Sequence, residues 1–166
     1  MGFLADKKIL ITGLLSKHSI AYGIAKACHR EGAQLAFTYQ SERFEDRIKK
    51  FAAEFGSDLV FQVDVASDEQ IDKLFTDLAQ KWDGLDGLVH SIAYAPTEAI
   101  EGDFLNGISR DAFRIAHDIS SYSYAALAKG ARPLMQGRKA ALLALSYLGA
   151  ERTMPNYNTM GLAKAS

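Results

Sequence analysis

The sequence is most quickly narrowed by what it has little of. A single cysteine, Cys28, stands among 166 residues, so no disulfide can close within the chain, which suits a reducing cytoplasm. Basic excess is missing: 19 Lys and Arg face 20 Asp and Glu, for a formal net charge of −1. A nucleic-acid partner, which needs a basic face, is therefore not expected. No run of about 18 apolar residues occurs, and the N-terminus lacks the long apolar region of a secretory signal. No membrane association is expected, and the cytoplasm is the expected location. His18, His29, His90 and His117 are scattered without ligand spacing, so no metal is expected. Internal repeats and low-complexity tracts are absent, as is the familiar Gly-x-Gly-x-x-Gly pattern.

What is present is organised around residues 7–23, KKILITGLLSKHSIAYG. A largely β-branched, mostly apolar run (Ile9, Leu10, Ile11, Thr12) meets Gly13, a polar turn, and a helix start at Ser19, Ile20, Ala21, Tyr22 and Gly23. This reads as a buried strand, a tight turn and a helix N-terminus. The free N–H groups and positive dipole end of such a helix attract a phosphate. Gly13 would make the turn, Ser19 would cap the helix or bond a phosphate, and Gly23 would bring helix and sheet close. A glycine after a strand can equally be a plain turn, so the rest of the chain has to decide.

Further on, residues 34–39 read as a second strand. A charged helix over 41–55 follows, with Phe44, Ile48, Phe51 and Phe55 at helical spacing. Residues 59–63 make a third strand closing on Asp64 and Val65, 67–82 an amphipathic helix, and 87–92 a fourth strand. With 48% apolar residues the chain can build one real core. The alternation of strands and helices predicts parallel strands with helical crossovers: an α/β, doubly wound, Rossmann-like parallel sheet of about five strands, with residues 1–166 forming a single dinucleotide-binding domain. Its ligand crevice lies past the carboxyl ends of the strands, which singles out Gly13, Gln40, Asp64, Val65 and the residues from Ser91 to Ala95. A polar connection over 95–109 is long enough to be functional. The helix over 109–134 carries rows of Ser and Ala that suit a close subunit contact, and 140–146 is the fifth strand.

Directly beyond that strand come Ser146, Tyr147, Leu148, Gly149, Ala150, Glu151 and Arg152, then Tyr157 and, seven positions on, Lys164. Seven residues is close to two helical turns, so Tyr157 and Lys164 share a face about 10 Å apart along the axis. Side chains lean towards the helix N-terminus, which brings Lys164 back towards Tyr157. A Tyr and a Lys on one face can also be a solvated pair.

Taken together, the turn from Gly13 to Gly23, Gln40, Asp64-Val65, His90-Ser91-Ile92-Ala93-Tyr94-Ala95-Pro96, the stretch from Ser146 to Arg152, and Tyr157 with Lys164 resemble the bacterial enoyl-acyl-carrier-protein reductases, members of the short-chain dehydrogenase/reductase superfamily. The likeness covers the whole chain. It implies reduction, by NADH, of the trans-2 double bond of enoyl thioesters borne on acyl carrier protein during fatty-acid elongation, in a cytoplasmic enzyme that is typically a tetramer. Tyr157 would hydrogen-bond the thioester carbonyl and stabilise the enolate, and Lys164 would hold the nicotinamide ribose and favour negative charge nearby. Tyr147 matches the family's second tyrosine, as a proton carrier or a pocket wall. Gly13, Ser19, Ile20, Gln40, Asp64, Val65, Ser91, Ile92, Ala93 and Lys164 would contact NADH/NAD, and Ala95, Tyr147 and Tyr157 the substrate.

The resemblance also carries a rationale for its spacing. Conjugate reduction puts the hydride target two carbons from the carbonyl, so the tyrosine should stand farther from the ribose-anchoring lysine than in carbonyl reductases. Their Tyr-x-x-x-Lys would require tyrosine at position 160, which is Met160. Two other readings stand beside this one: a carbonyl-reducing short-chain dehydrogenase, disfavoured by Met160, and a non-catalytic NAD-binding fragment. The second arises because the family continues beyond this length with further strands and a closing loop. A chain of these residues alone is expected to expose its fifth strand as an apolar edge, to associate through it, and to lack enoyl reduction. The neutral Gln40, followed by Ser41 and Glu42, predicts NADH over NADPH.

Overall fold

The structure, a computed structural model, describes residues 2–166. Five parallel strands form one sheet: β1 (Lys8–Ile11), β2 (Gln34–Tyr39), β3 (Val60–Gln62), β4 (Gly87–His90) and β5 (Ala141–Ala144), in the order β3-β2-β1-β4-β5. The order reverses between β1 and β4, as a doubly wound sheet requires. Two compact units divide the described residues, 2–91 with 127–144, and 92–126 with 145–166.

In the first unit the strand alternation decides what each face packs. Ile9 and Ile11 of β1, with Leu35, Phe37 and Tyr39 of β2, turn to one face. There they meet Ala21 and Ala25 of α1 (Ile20–Arg30) and Ile48 and Ala52 of α2 (Glu45–Glu54). Ala21 and Ala25 let α1 lie close to the sheet, whereas Gly23, expected to do so, is exposed and a Cβ there would meet open space. Leu10, Ala36 and Leu88, all fully buried, alternate with these and point to the opposite face. Crossing back from β3 to β4 in the right-handed sense puts α3 (Asp68–Ala79) on that side, where Ile71, Leu74, Phe75 and Leu78 are buried. The α3 N-terminus is capped: the Ser67 hydroxyl accepts from the Gln70 amide at 3.3 Å, and the Gln70 side chain accepts from the Asp64 amide at 2.8 Å. At the amino ends of β1, β4 and β5, Asp86 ties the sheet together. Its carboxylate accepts from the Lys8 amide at 3.0 Å and from Arg138 at 3.3 Å.

The second unit is built around small residues. After β4 the chain runs through residues 91–96 without regular structure, then a 3-10 turn (Thr97–Ala99), α4 (Phe104–Gly107) and α5 (Arg110–His117). Ala95, Ala99, Ala112, Ala116, Met160 and Ala163 form its buried cluster, the last two from α7 (Asn158–Ala165). The alanine row at 112 and 116 is thus used for packing within the chain, while Phe113 and Tyr122 on the same helical run stay exposed. That run is expected from the sequence as one helix. Instead α5 gives way to a π-helical turn (Asp118–Tyr122) before α6 (Ser123–Met135), whose residues from 127 onward belong to the first unit. Among the described residues no helix is long and apolar enough to cross a membrane, and no group of His, Cys, Asp and Glu is arranged to hold a metal.

Candidate functional site

The first unit gathers Gly13, Ser19, Ile20, Gln40, Asp64, Val65 and Ser91 just past the carboxyl ends of its strands. Gly13 has φ 77°, a left-handed conformation that favours glycine, so the turn after β1 needs this residue. Between β1 and β4 the switch point is closed by Thr12, which sequence reasoning counted only as strand. Its hydroxyl donates to the Val89 carbonyl at 2.9 Å and accepts the Ser91 amide at 3.3 Å. A threonine ending a buried strand was the available signal. Ser19 is the N-cap residue of α1, yet its hydroxyl donates to the Ser16 carbonyl rather than accepting from the helix's own amides. The helix start therefore presents N–H groups that no side-chain cap occupies, the donor set an anionic group needs. Ile20 is exposed beside it, and Val65 is buried. Gln40 and Glu42 are exposed, whereas the guanidinium of Arg43 lies over the Phe44 ring at 4.5 Å. These residues fit a neutral-ribose dinucleotide in kind: amides for phosphate, an amide side chain at the end of β2, and a carboxylate (Asp64) after β3.

The second unit gathers Ile92, Ala93, Ala95, Tyr147, Tyr157 and Lys164. Tyr157 enters α7 as its N-cap residue, and its carbonyl accepts the Gly161 amide at 3.2 Å. Asn156 and Asn158, on either side of it, have φ 60° and 36°. Asparagine tolerates this left-handed region better than most residues, and the two together hold the Tyr157 backbone in a tight bend. Asn158 is further anchored by donating to the Gly102 carbonyl at 3.1 Å. The Tyr157 ring meets the Tyr147 ring with centroids 4.8 Å apart at 60°, so the two tyrosines form one aromatic corner. Burial, and secondarily Tyr147, push the Tyr157 phenol above its ordinary value, so at neutral pH it is a hydroxyl able to donate.

Lys164 is half-buried and donates to the Leu145 carbonyl at 2.6 Å, at the exit of β5. The sequence places Lys164 on the Tyr157 face, leaning towards it. Its ammonium is in fact committed to the backbone ahead of Tyr147. Burial holds the Lys164 amine below its ordinary value. A second residue missed from the sequence is Gly149. A Cβ there would strike the Tyr157 ring, and one at Gly161 would lie 2.7 Å from the Gly149 carbonyl oxygen. The pair of glycines forms the seat on which Tyr157 rests.

Chemically, the second unit offers a neutral phenol that can polarise a carbonyl, a second phenol against it, and a cation on a short leash. The first unit offers amide donors at a helix start and a carboxylate.

Comparison with known proteins gives this arrangement its relatives. The family described as enoyl-(acyl carrier protein) reductase matches residues 13–166. The enoyl-[acyl-carrier-protein] reductase [NADH] FabI of Neisseria meningitidis is 64% identical over all 166 residues. Among solved structures, the enoyl-[acyl-carrier-protein] reductase (NADH) of Aquifex aeolicus superposes with a TM-score of 0.96 at 53% identity, covering 99% of this chain and 65% of its own. The Anaplasma phagocytophilum reductase, solved in complex with NAD, superposes at 0.94 with 38% identity, covering 99% of this chain and 63% of its own. The chain spans 64% of the length of the Neisseria relative. With its family match from residue 13 to 166 and identities above half over its entire length, the chain belongs to the enoyl-(acyl carrier protein) reductase family.

Proposed function

We propose that the protein to which these residues belong is an NADH-dependent enoyl-acyl-carrier-protein reductase, reducing the trans-2 double bond of an enoyl thioester in fatty-acid elongation. The carrying observation is the neutral Tyr157 phenol in its aromatic corner with Tyr147, seven residues before Lys164. A phenol that keeps its proton can donate to the thioester carbonyl as negative charge develops there, and a donor that strengthens in the transition state accelerates the reaction. NADH, when bound, supplies the hydride to C3. Lys164 would hold the nicotinamide ribose through its ammonium, which the bond to the Leu145 carbonyl directs. Tyr147 walls the site and orients the Tyr157 ring. Gly13, Ser19 and Ile20 would hold the pyrophosphate at the α1 start, and Gln40 would contact the same cofactor. Asp64, Val65, Ser91, Ile92 and Ala93 would contact the cofactor, and Ala95 the substrate.

Gln40 and Glu42 favour NADH over NADPH: a neutral amide past β2 offers a 2′-phosphate no charge, the acid that follows repels it, and the Arg43 guanidinium lies over the Phe44 ring. The reading takes residues 1–166 as a single dinucleotide-binding domain, with acyl carrier protein as substrate donor, in a cytoplasmic homo-oligomer that family resemblance makes a tetramer.

The test is NADH oxidation by the full-length protein with a trans-2-enoyl thioester, beside NADPH and beside a 3-ketoacyl thioester. Turnover of the enoyl substrate with NADH is expected. Turnover of the keto substrate in its place would return the carbonyl-reductase reading, and NADH binding without turnover of either would return the non-catalytic one.

A further inference from the structure

Beyond the residues that the family resemblance assigns, one hydroxyl controls the segment on which several of them sit. Ser120 is buried, 7% exposed, in the π-helical turn between α5 and α6. Its hydroxyl accepts the Tyr94 amide at 2.9 Å and donates to the Tyr94 carbonyl at 3.0 Å. One side chain therefore binds both main-chain groups of a residue that has left the sheet: β4 ends at His90, and residues 91–96 have no regular structure. It does for Tyr94 what a neighbouring strand would do.

The π turn is what frees Ser120 for this. In a regular helix a serine hydroxyl readily turns back on the helix's own carbonyl four residues earlier, as Ser123 does on Ile119 at 2.6 Å. The extra residue in the widened turn lets Ser120 point across instead, and such turns recur at functional sites. The clasp also sets orientation. With its backbone fixed, Tyr94 is 55% exposed, and the next residue, Ala95, is buried in one cluster with Met160 and Ala163 of α7, against which Tyr157 packs.

We propose that Ser120 is a positioning residue: by clasping the Tyr94 backbone it holds Ile92, Ala93 and Ala95 in place for cofactor and acyl chain. The proposal rests on the reductase reading for what those three residues touch, and on the structure for the clasp itself. Because Ser120 acts through the 92–95 segment and not through Tyr157 or Lys164, its loss should weaken binding more than it slows the chemical step.

The experiment uses the full-length protein with Ser120→Ala and Ser120→Thr, the second retaining a hydroxyl. Ser120→Ala should raise the NADH Kd and the KM for the enoyl thioester about tenfold, the cost of leaving the clasped groups without a partner. Its kcat at saturation should stay within about threefold. Ser120→Thr should restore both constants. Hydrogen exchange on peptides spanning residues 91–97 should show faster Tyr94 amide exchange in Ser120→Ala, and this reads the clasp whether or not threonine is tolerated. A merely structural role would lower melting temperature and kcat while leaving KM and Tyr94 exchange unchanged, and that result overturns the proposal. Unchanged constants in Ser120→Ala overturn it equally. If the unsubstituted protein turns over no enoyl thioester, the reductase reading falls, while Tyr94 exchange and the NADH Kd still judge the clasp.

Discussion

Replacing Gly149 by alanine probes the seat of Tyr157 without touching the phenol. Gly149 lies in a 3-10 turn (Leu148–Ala150) and is not at positive φ, so the backbone accepts alanine and only the new methyl matters. That methyl would sit 2.8 Å from Cε1 and 3.2 Å from Cγ of the Tyr157 ring, with Cδ1 closer still. Carbon atoms in contact prefer roughly 3.5–4.0 Å, so the ring must retreat by about 1 Å. The displaced ring is already in contact with Tyr147, centroids 4.8 Å apart, and Gly149 itself is closely packed, its carbonyl oxygen 2.7 Å from where a Cβ on Gly161 would stand. Overpacking of this kind costs about 1–3 kcal/mol of stability. A reacting group misplaced by about 1 Å costs roughly 10²-fold in rate. In the full-length protein, Gly149→Ala is therefore expected to lower kcat about 100-fold while the NADH Kd, read by fluorescence titration, moves by less than about twofold. The same change made in a Tyr157→Phe background should add little further loss, because both act through one hydroxyl. A Gly149→Ala enzyme with full kcat would refute the reasoning.

Other expectations follow from the same geometry. Asp86→Ala removes a carboxylate whose side chain is 6% exposed and which accepts from the Lys8 amide and Arg138; about 2 kcal/mol of stability should be lost at neutral pH in chemical denaturation. Burial alone would raise the Asp86 carboxyl, but the Lys8 amide and the Lys7 and Arg138 charges outweigh it and hold the group below its ordinary 3.8. Its contribution is thus present above that value and lost as pH falls through the lower folded one, so the gap between the two proteins should close in acid. Burial lowers the Lys164 amine and raises the Tyr157 phenol from their ordinary values; Lys164→Arg, whose charge does not titrate, should displace an alkaline descending limb of the pH–rate profile upward, and a limb unmoved by it would assign that limb to another group. A polypeptide of residues 1–166 carries β5 at the sheet edge with Leu142 and Leu143 exposed, and sedimentation should find it self-associating, whereas a clean monomer would contradict the edge argument.

Much of the scaffold was legible because its signals are local. The largely β-branched run before Gly13, the 3.6-residue spacing of Ile71, Leu74, Phe75 and Leu78, and the apolar stretch at β5 each announce their element without help from distant residues. The strand ends then followed from topology, which is why Gly13, Gln40, Asp64 and Ser91 could be named in advance. What escaped was set by tertiary contact. The π turn at 118–122 leaves the apolar periodicity of its helix almost unbroken, so nothing in the pattern marks Ser120. The bond from Arg138 to Asp86 joins residues 52 positions apart, and the approach of Gly149 to Tyr157 depends on how a loop folds against a helix start. Lys164 shows the limit of helical reasoning most clearly: its position on α7 was legible, but its ammonium answers to the Leu145 carbonyl, 19 residues away and outside the helix.

The central claim is that the Tyr157 hydroxyl polarises the carbonyl of an enoyl thioester. Its most direct test is Tyr157→Phe in the full-length protein, measured by steady-state NADH oxidation with a trans-2-enoyl thioester alongside NADH titration. The ring, its contact with Tyr147 and its seat on Gly149 all survive that change, so only the donor is lost. The account predicts kcat lower by at least about 100-fold with the NADH Kd within about twofold, since the bond matters chiefly in the transition state. A phenylalanine enzyme that turns over at the unsubstituted rate would contradict it.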